Sequence, residues 1–168
     1  MLFAVGWAVV RSSREPFATL NFDSMGAEEW SQAFNVIDDA CDRADLELFD
    51  RFEAFMAECD DGMLSWSFQR ALNNVRGVLT FASSRNHRGK SPTSLRIMEW
   101  LAVNGTGSYG LLYLHDDEDD GVSKRYGRGG VDRTNEFRVW RLASGQLMEF
   151  DDPFLSPIVP LINPSDFA

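Results

Sequence analysis

The 168-residue sequence predicts an α+β fold: an antiparallel sheet packed against a long acidic helix and a shorter helix, with an extended Pro-rich C-terminal arm. Three observations predict it. Short apolar runs with alternating patterning are bounded by turn residues and follow one another closely enough to be joined mostly as hairpins. One segment, 27–61, lacks both Pro and Gly and repeats its apolar residues at helical spacing. Helical and strand-like stretches are segregated along the chain, which favours an antiparallel sheet. With 44% hydrophobic and 12% aromatic content, residues 1–168 suit a single domain with one core, of which 152–168 form the arm.

The opening MLFAVGWAVVRSS reads as a first strand. It alternates large and small side chains, carries Trp7, and has neither the basic n-region nor the small-residue cleavage site of an export signal. No stretch approaches the roughly 20 apolar residues of a membrane span, so a cytoplasmic location is expected.

In GAEEWSQAFNVIDDACDRADLELFDRFEAFMAECDDG, residues 26–62, the positions Trp30, Phe34, Ile37, Cys41, Ala44, Leu48, Phe52, Phe55 and Cys59 advance in steps of three and four and share one helical face. The carboxylates of Glu29, Asp38, Asp39, Asp42, Asp50, Glu53 and Asp60 project elsewhere. One long helix is expected, or two with a break near Asp45, where Leu46 and Phe49 leave the stripe. On a continuous helix Cys41 and Cys59 lie roughly 27 Å apart, far beyond the reach of a disulfide. Both read as reduced core residues.

MLSWSFQ (63–69) and GVLTFASS (77–84) read as strands, the second leading into RNHRG at 85–89. SPTSLRIMEWLAVNG starts as a helix, with Ser91 able to cap and Pro92 suited to the first helical position. Its apolar face is Leu95, Met98 and Leu101 or Ala102, and Gly105 stops it. GSYGLLYLH (107–115) is the clearest strand. NEFRVWRLASGQLMEF reads as a hairpin turning at Ser144 and Gly145. In DDPFLSPIVPLINPSDFA four prolines forbid a helix or a central strand. The apolar residues between them are expected to lie extended across the body.

The net charge of −10 is concentrated. Residues 23–61 hold thirteen acids against Arg43 and Arg51, whereas the rest of the chain is close to neutral. Such a field repels nucleic acid and attracts basic protein surfaces, so direct nucleic-acid binding is not expected.

The five consecutive acids Asp116, Asp117, Glu118, Asp119 and Asp120 invite other chemistries. As a calcium loop they fail at the position needing a bidentate Glu, which is Gly127, and two Cys with two His fit no zinc spacing; no metal site is expected. Adjacent carboxylates share one wet environment, whereas acid–base catalysis needs two different ones. There is no G-x-S-x-G elbow and no phosphate-binding Gly-rich loop. Ser108 with His87 and an Asp is a triad any chain of this size permits. A small hydrolase using Asp117 or Asp119 with His87, and a calcium-responsive adaptor, stand as the alternatives to a binding protein.

RNHRG (85–89), SYGLLYLHDDED (108–119), NEFRVWRL (135–142) and DPFLSPIVP (152–160), with Gly6 and Trp7 in the opening strand, together resemble the immunity protein 7 family of bacterial polymorphic toxin systems. The 122–134 loop, VSKRYGRGGVDRT, departs from that resemblance in its length. The resemblance implies a small cytosolic α+β protein that binds and neutralises a cognate toxin C-terminal domain delivered between bacteria or made by the same cell, with no catalysis and no cofactor.

Charge and resemblance meet here. A toxin that attacks nucleic acid is basic around its cleft, which an acidic inhibitor can cover; a nuclease or nucleic-acid deaminase is the expected class. Two surfaces compete as the partner-binding site. One is the loop of Asp116, Asp117, Glu118, Asp119 and Asp120 with Tyr109, Tyr113 and Tyr126. The other is the helix face bearing Glu29, Asp38, Asp39 and Asp42. The loop acids have an internal alternative, pairing with Lys124, Arg125, Arg128 and Arg133. Asn86, His87, Arg88, Asn135 and Asp152 read as a polar cluster that keeps the fold.

Overall fold

The computed structural model describes residues 1–59, 62–72, 75–85, 92–122 and 130–158. Six strands form one antiparallel sheet: β1 (Leu2–Val9), β2 (Leu64–Leu72), β3 (Val75–Arg85), β4 (Tyr109–Asp116), β5 (Arg138–Ala143) and β6 (Gln146–Asp151). Their spatial order is β2-β3-β1-β4-β5-β6, which places the first strand of the chain between β3 and β4. Among the described residues, three α-helices accompany the sheet, α1 (Glu15–Ala18), α2 (Ala27–Cys59) and α3 (Thr93–Asn104), with a 3-10 turn at Phe22–Ser24. The α+β class and the antiparallel sheet read from the sequence are what the chain adopts.

Alternation decides which side of the sheet is covered. In β1, Leu2, Ala4, Gly6 and Ala8 are buried, whereas Phe3, Val5 and Trp7 point outward and stay exposed. The inner face packs beneath α3 and the C-terminal half of α2, where Phe49, Phe52, Met56, Ile97, Met98 and Leu101 are almost wholly inaccessible. Each such side chain contributes roughly 1.5–3 kcal/mol by leaving water. Gly6 is required in this layer, because a Cβ there would lie 2.4 Å from the ring of Phe81, its neighbour on β3. The hairpin of β5 and β6 turns at Ser144 and Gly145 as expected. Both have positive φ, 50° and 70°, the pair of left-handed residues a tight two-residue hairpin needs.

Helix α2 is continuous over 33 residues, with no break at Asp45. The stripe shifts phase there. Ala44 is exposed, and Asp45 and Phe49 are buried in its place. At its start, Gly26 N–H donates to the Glu29 carboxylate at 3.2 Å, and Glu28 and Glu29 sit in the first turn, where the helix dipole favours acids. Cys41 and Cys59 are free and buried, and desolvation pushes the Cys59 thiol above its ordinary pKa. A buried thiol is a poor nucleophile. Neither cysteine is expected to react with iodoacetamide at neutral pH until denaturant is added, as read by mass spectrometry.

One expectation needs correcting. Pro92 occupies the N-cap of α3 and not its first turn; Leu95 N–H and Arg96 N–H both donate to its carbonyl, and Ser91 lies outside the described residues. The described start of the arm, 152–158, forms a turn, and its continuation, 159–168, lies outside the described residues. The Asp152 carboxylate accepts from Phe154 N–H, Leu155 N–H and the Ser156 hydroxyl at 2.7–3.0 Å, and Phe154 and Leu155 point into solvent, 80% and 55% exposed. Burial alone would raise the Asp152 carboxyl pKa, but those donors hold it below its ordinary value. The turn is pinned to the body where Phe137 N–H donates to Ser156 Oγ and Ile158 N–H to the Asn135 carbonyl.

Candidate partner-binding surfaces

The acid block begins as the end of β4. Asp116 pairs across the sheet with Leu2, and the chain then turns, with Asp119 N–H donating to the Asp116 carbonyl at 3.0 Å. The turn sorts the five acids. Asp116 and Asp119 are only 3% and 2% exposed, whereas Asp117 and Asp120 face solvent and Glu118 is half-buried. The Asp117 carboxylate accepts from the N-terminal ammonium of Met1, which depresses its pKa. Asp120 accepts from Val122 N–H at 3.0 Å and holds the next bend.

Asp119 carries the main correction to a partner-facing loop. Its carboxylate receives the Arg138 guanidinium at 2.7 Å, and both side chains are 2% exposed. The same guanidinium meets Glu149 on β6 at 2.7 Å and lies over the Trp140 ring, 5.6 Å from its centre. The pairing thus clamps the loop to β5 and β6 from inside. Asp116 and Asp119 belong to the interior, out of a partner's reach. Of the cations expected to pair with the loop acids, one lies within the described residues. Arg133 turns to Glu136 and Asp151, and Lys124, Arg125 and Arg128 lie outside the described residues. Arg138 was legible as a problem: in FRVWRLA it shares parity with Trp140 and Leu142, so an inward charge needs a buried counter-charge.

Helix α2 is about 50 Å long, roughly twice the 26 Å or so of an eight-residue strand. Its C-terminal half lies along the sheet. Asp45, with no exposed surface, accepts from Ser12 N–H at 2.7 Å and from Arg14 at 2.5 Å, just past the end of β1. Desolvation opposes the Arg14 charge, but Asp45 more than offsets it and the guanidinium pKa is raised. Towards its C-terminus the helix runs back to the opposite end of the sheet, where β2 begins beside Ser83. Residues 27–40 consequently project beyond the sheet. None of them is buried, and Trp30 and Phe34 stack at 5.1 Å, with Phe17 of α1 against Phe34 at 5.3 Å. Glu29 and Asp39 are exposed on this projection; Asp38 and Asp42 are half-buried. Asp50 and Glu53, further along, both pair with Arg70 of β2.

The two acidic surfaces lie at opposite ends of the molecule. The loop follows Asp116, which faces Leu2; the projecting helix begins beyond Ser12, at the other end of β1. Tyr109 and Tyr113 are also separated. Tyr109, 43% exposed, meets Trp7 edge-on at 6.3 Å near the helix end, and Tyr113 packs against Phe137 near the loop. Tyr126, Asn86, His87 and Arg88 lie outside the described residues. Asn135 contributes the carbonyl that receives Ile158 N–H, and Asp152 forms the turn before Phe154. Ser108 is buried, its hydroxyl accepting from Arg11 N–H and donating to the Arg11 carbonyl. Among the described residues no three His, Cys, Asp or Glu side chains converge as metal ligands, and no helix is long and apolar enough to cross a membrane.

Searches of curated proteins and of solved structures return no match. Residues 34–164, from the projecting part of α2 through all five later strands, match the family model described as immunity protein 7. That span takes in most of the chain and every motif from RNHRG to DPFLSPIVP, and on it the chain belongs to the immunity protein 7 family.

Proposed function

We propose that this chain neutralises one cognate toxin domain in the cytoplasm by binding it, without catalysis or cofactor, and that its negative potential selects a basic partner. Family membership supports the immunity role. The observation that carries the electrostatic part is the projecting part of α2, where Glu29, Asp38 and Asp39 stand beyond the end of the sheet and Asp42 follows just before the helix joins it, with α1 packed alongside. Asp117, Glu118 and Asp120 add negative charge at the opposite end. A basic cleft that holds phosphates would be drawn towards such a surface, fast and in a salt-dependent way. A nuclease or nucleic-acid deaminase is the toxin class this charge fits.

The test is to mix the purified protein with the toxin domain encoded beside it and to measure toxin activity and association rate. Toxin activity is expected to vanish at stoichiometric protein, and the association rate to fall about tenfold or more between low and high salt. The combined change Glu29→Gln/Asp39→Asn should slow association and leave dissociation nearly unchanged. Undiminished toxin activity at saturating protein would refute the reading.

A further inference from the structure

Among the described residues, no helix covers the outer face of the sheet, and that face is nearly free of charge in a strongly acidic protein. Phe3, Val5 and Trp7 of β1 and Met148 and Phe150 of β6 are 37–44% exposed there, alongside Tyr109. Of all the described outward side chains of the six strands, Arg141 is the only Asp, Glu, Lys or Arg. An open groove of about 480 Å³ crosses this face, floored by Ser65, Ser67, Thr80 and Ala82 and walled by Trp7 and Tyr113. Among the described residues, Phe137 packs on the β4–β5 side, against Tyr113 and His115, where the outward Val139 is buried.

We infer that this outer face is the centre of contact with the toxin domain, Trp7 and Tyr109 being its anchors and the groove its receptor for an uncharged apolar segment of the toxin. The inference rests on the immunity reading above and assigns it a surface. Depletion of charge with enrichment of Trp, Tyr, Phe, Met and Arg is the composition of interface centres, and such residues carry most of the binding energy. The size fits as well. Six strands about 4.8 Å apart and about 26 Å long present roughly 600 Å², close to the roughly 800 Å² per partner of a stable complex.

Charge selects the occupant. The neutral face sits in a chain of net charge −10, and the part of α2 that runs on past the Ser12 end of the sheet carries Glu29, Asp38 and Asp39. A basic toxin docked on the neutral centre is attracted by that surrounding field. A second copy, itself at −10, would bring acidic ends against acidic ends.

Two variants test the surface by different routes. Trp7→Thr/Tyr109→Thr removes the anchors while keeping residues suited to strands; Ser67→Tyr keeps the anchors and fills the groove floor. Against the purified toxin domain encoded beside this chain, each is expected to weaken the Kd about 100-fold, mainly through faster dissociation, with far-ultraviolet circular dichroism unchanged. Wild-type affinity in both, with wild-type protein still neutralising the toxin, overturns the surface and leaves the immunity reading standing. Failure of the wild-type protein to bind overturns the reading beneath it. A wild-type dimer that Trp7→Thr/Tyr109→Thr dissolves into monomers assigns the face to a second copy, and also overturns the inference.

Discussion

Replacing Arg138 with Met is expected to cost about 3–5 kcal/mol of stability, the penalty for removing one member of a buried ion pair. The guanidinium is the shared counter-charge for Asp119 and Glu149, so its loss leaves two carboxylates facing each other in a dry site. Asp119→Asn should cost less, because Arg138 keeps Glu149 and the amide still accepts a hydrogen bond. The triple change Arg138→Met/Asp119→Leu/Glu149→Leu should recover much of the loss, since an apolar replacement of an entire buried ionic group is often neutral or better. Urea denaturation of the four proteins checks the order. Equal stability of Arg138→Met and wild type would show that the clamp contributes little to holding the loop.

Asp45→Ala is expected to cost about 2–3 kcal/mol, the range for hydrogen bonds to a charged group whose partners are left behind. Two donors lose their acceptor, Ser12 N–H and the Arg14 guanidinium, and Arg14 can partly recover water because its side chain is 27% exposed. The effect should be uneven across the molecule. Asp45 stands where α2 leaves the sheet, so amide exchange should rise most in residues 27–40 and least in the half of α2 that carries Phe49, Phe52 and Met56. Uniform acceleration along α2 would contradict an anchoring role for Asp45.

What was legible in the sequence was local. Period-two alternation identified β1 and β4, Ser144 and Gly145 identified the hairpin, and a run of three- and four-residue steps identified α2. The phase of α2 near its middle was not legible. Between Cys41 and Leu48 the stripe can pass through position 44 or 45, and the choice is made by Ser12 and Arg14, some thirty residues earlier. The burial of two of the five loop acids is hidden in the sequence for a similar reason. Five like residues look equivalent until a turn points Asp116 and Asp119 inward, towards an Arg138 that only the β4–β5 pairing brings near. The outer face was invisible because it depends on strand order: Trp7 and Tyr109 are about a hundred residues apart and meet only because β1 lies beside β4.

The interior position of β1 also sets a clock. β1 cannot be paired on both edges until β4 has been made, for Leu2 waits for Asp116. At about 5–20 residues per second of translation, that wait is roughly 6–23 s, during which β3 is the one partner available to the strand of Phe3, Val5 and Trp7. Chains that need such distant partners also fold slowly once complete. The apolar outward residues of β1 are therefore the ones left longest without their full sheet neighbours, and a chaperone or early β3 pairing would have to shield them in that interval.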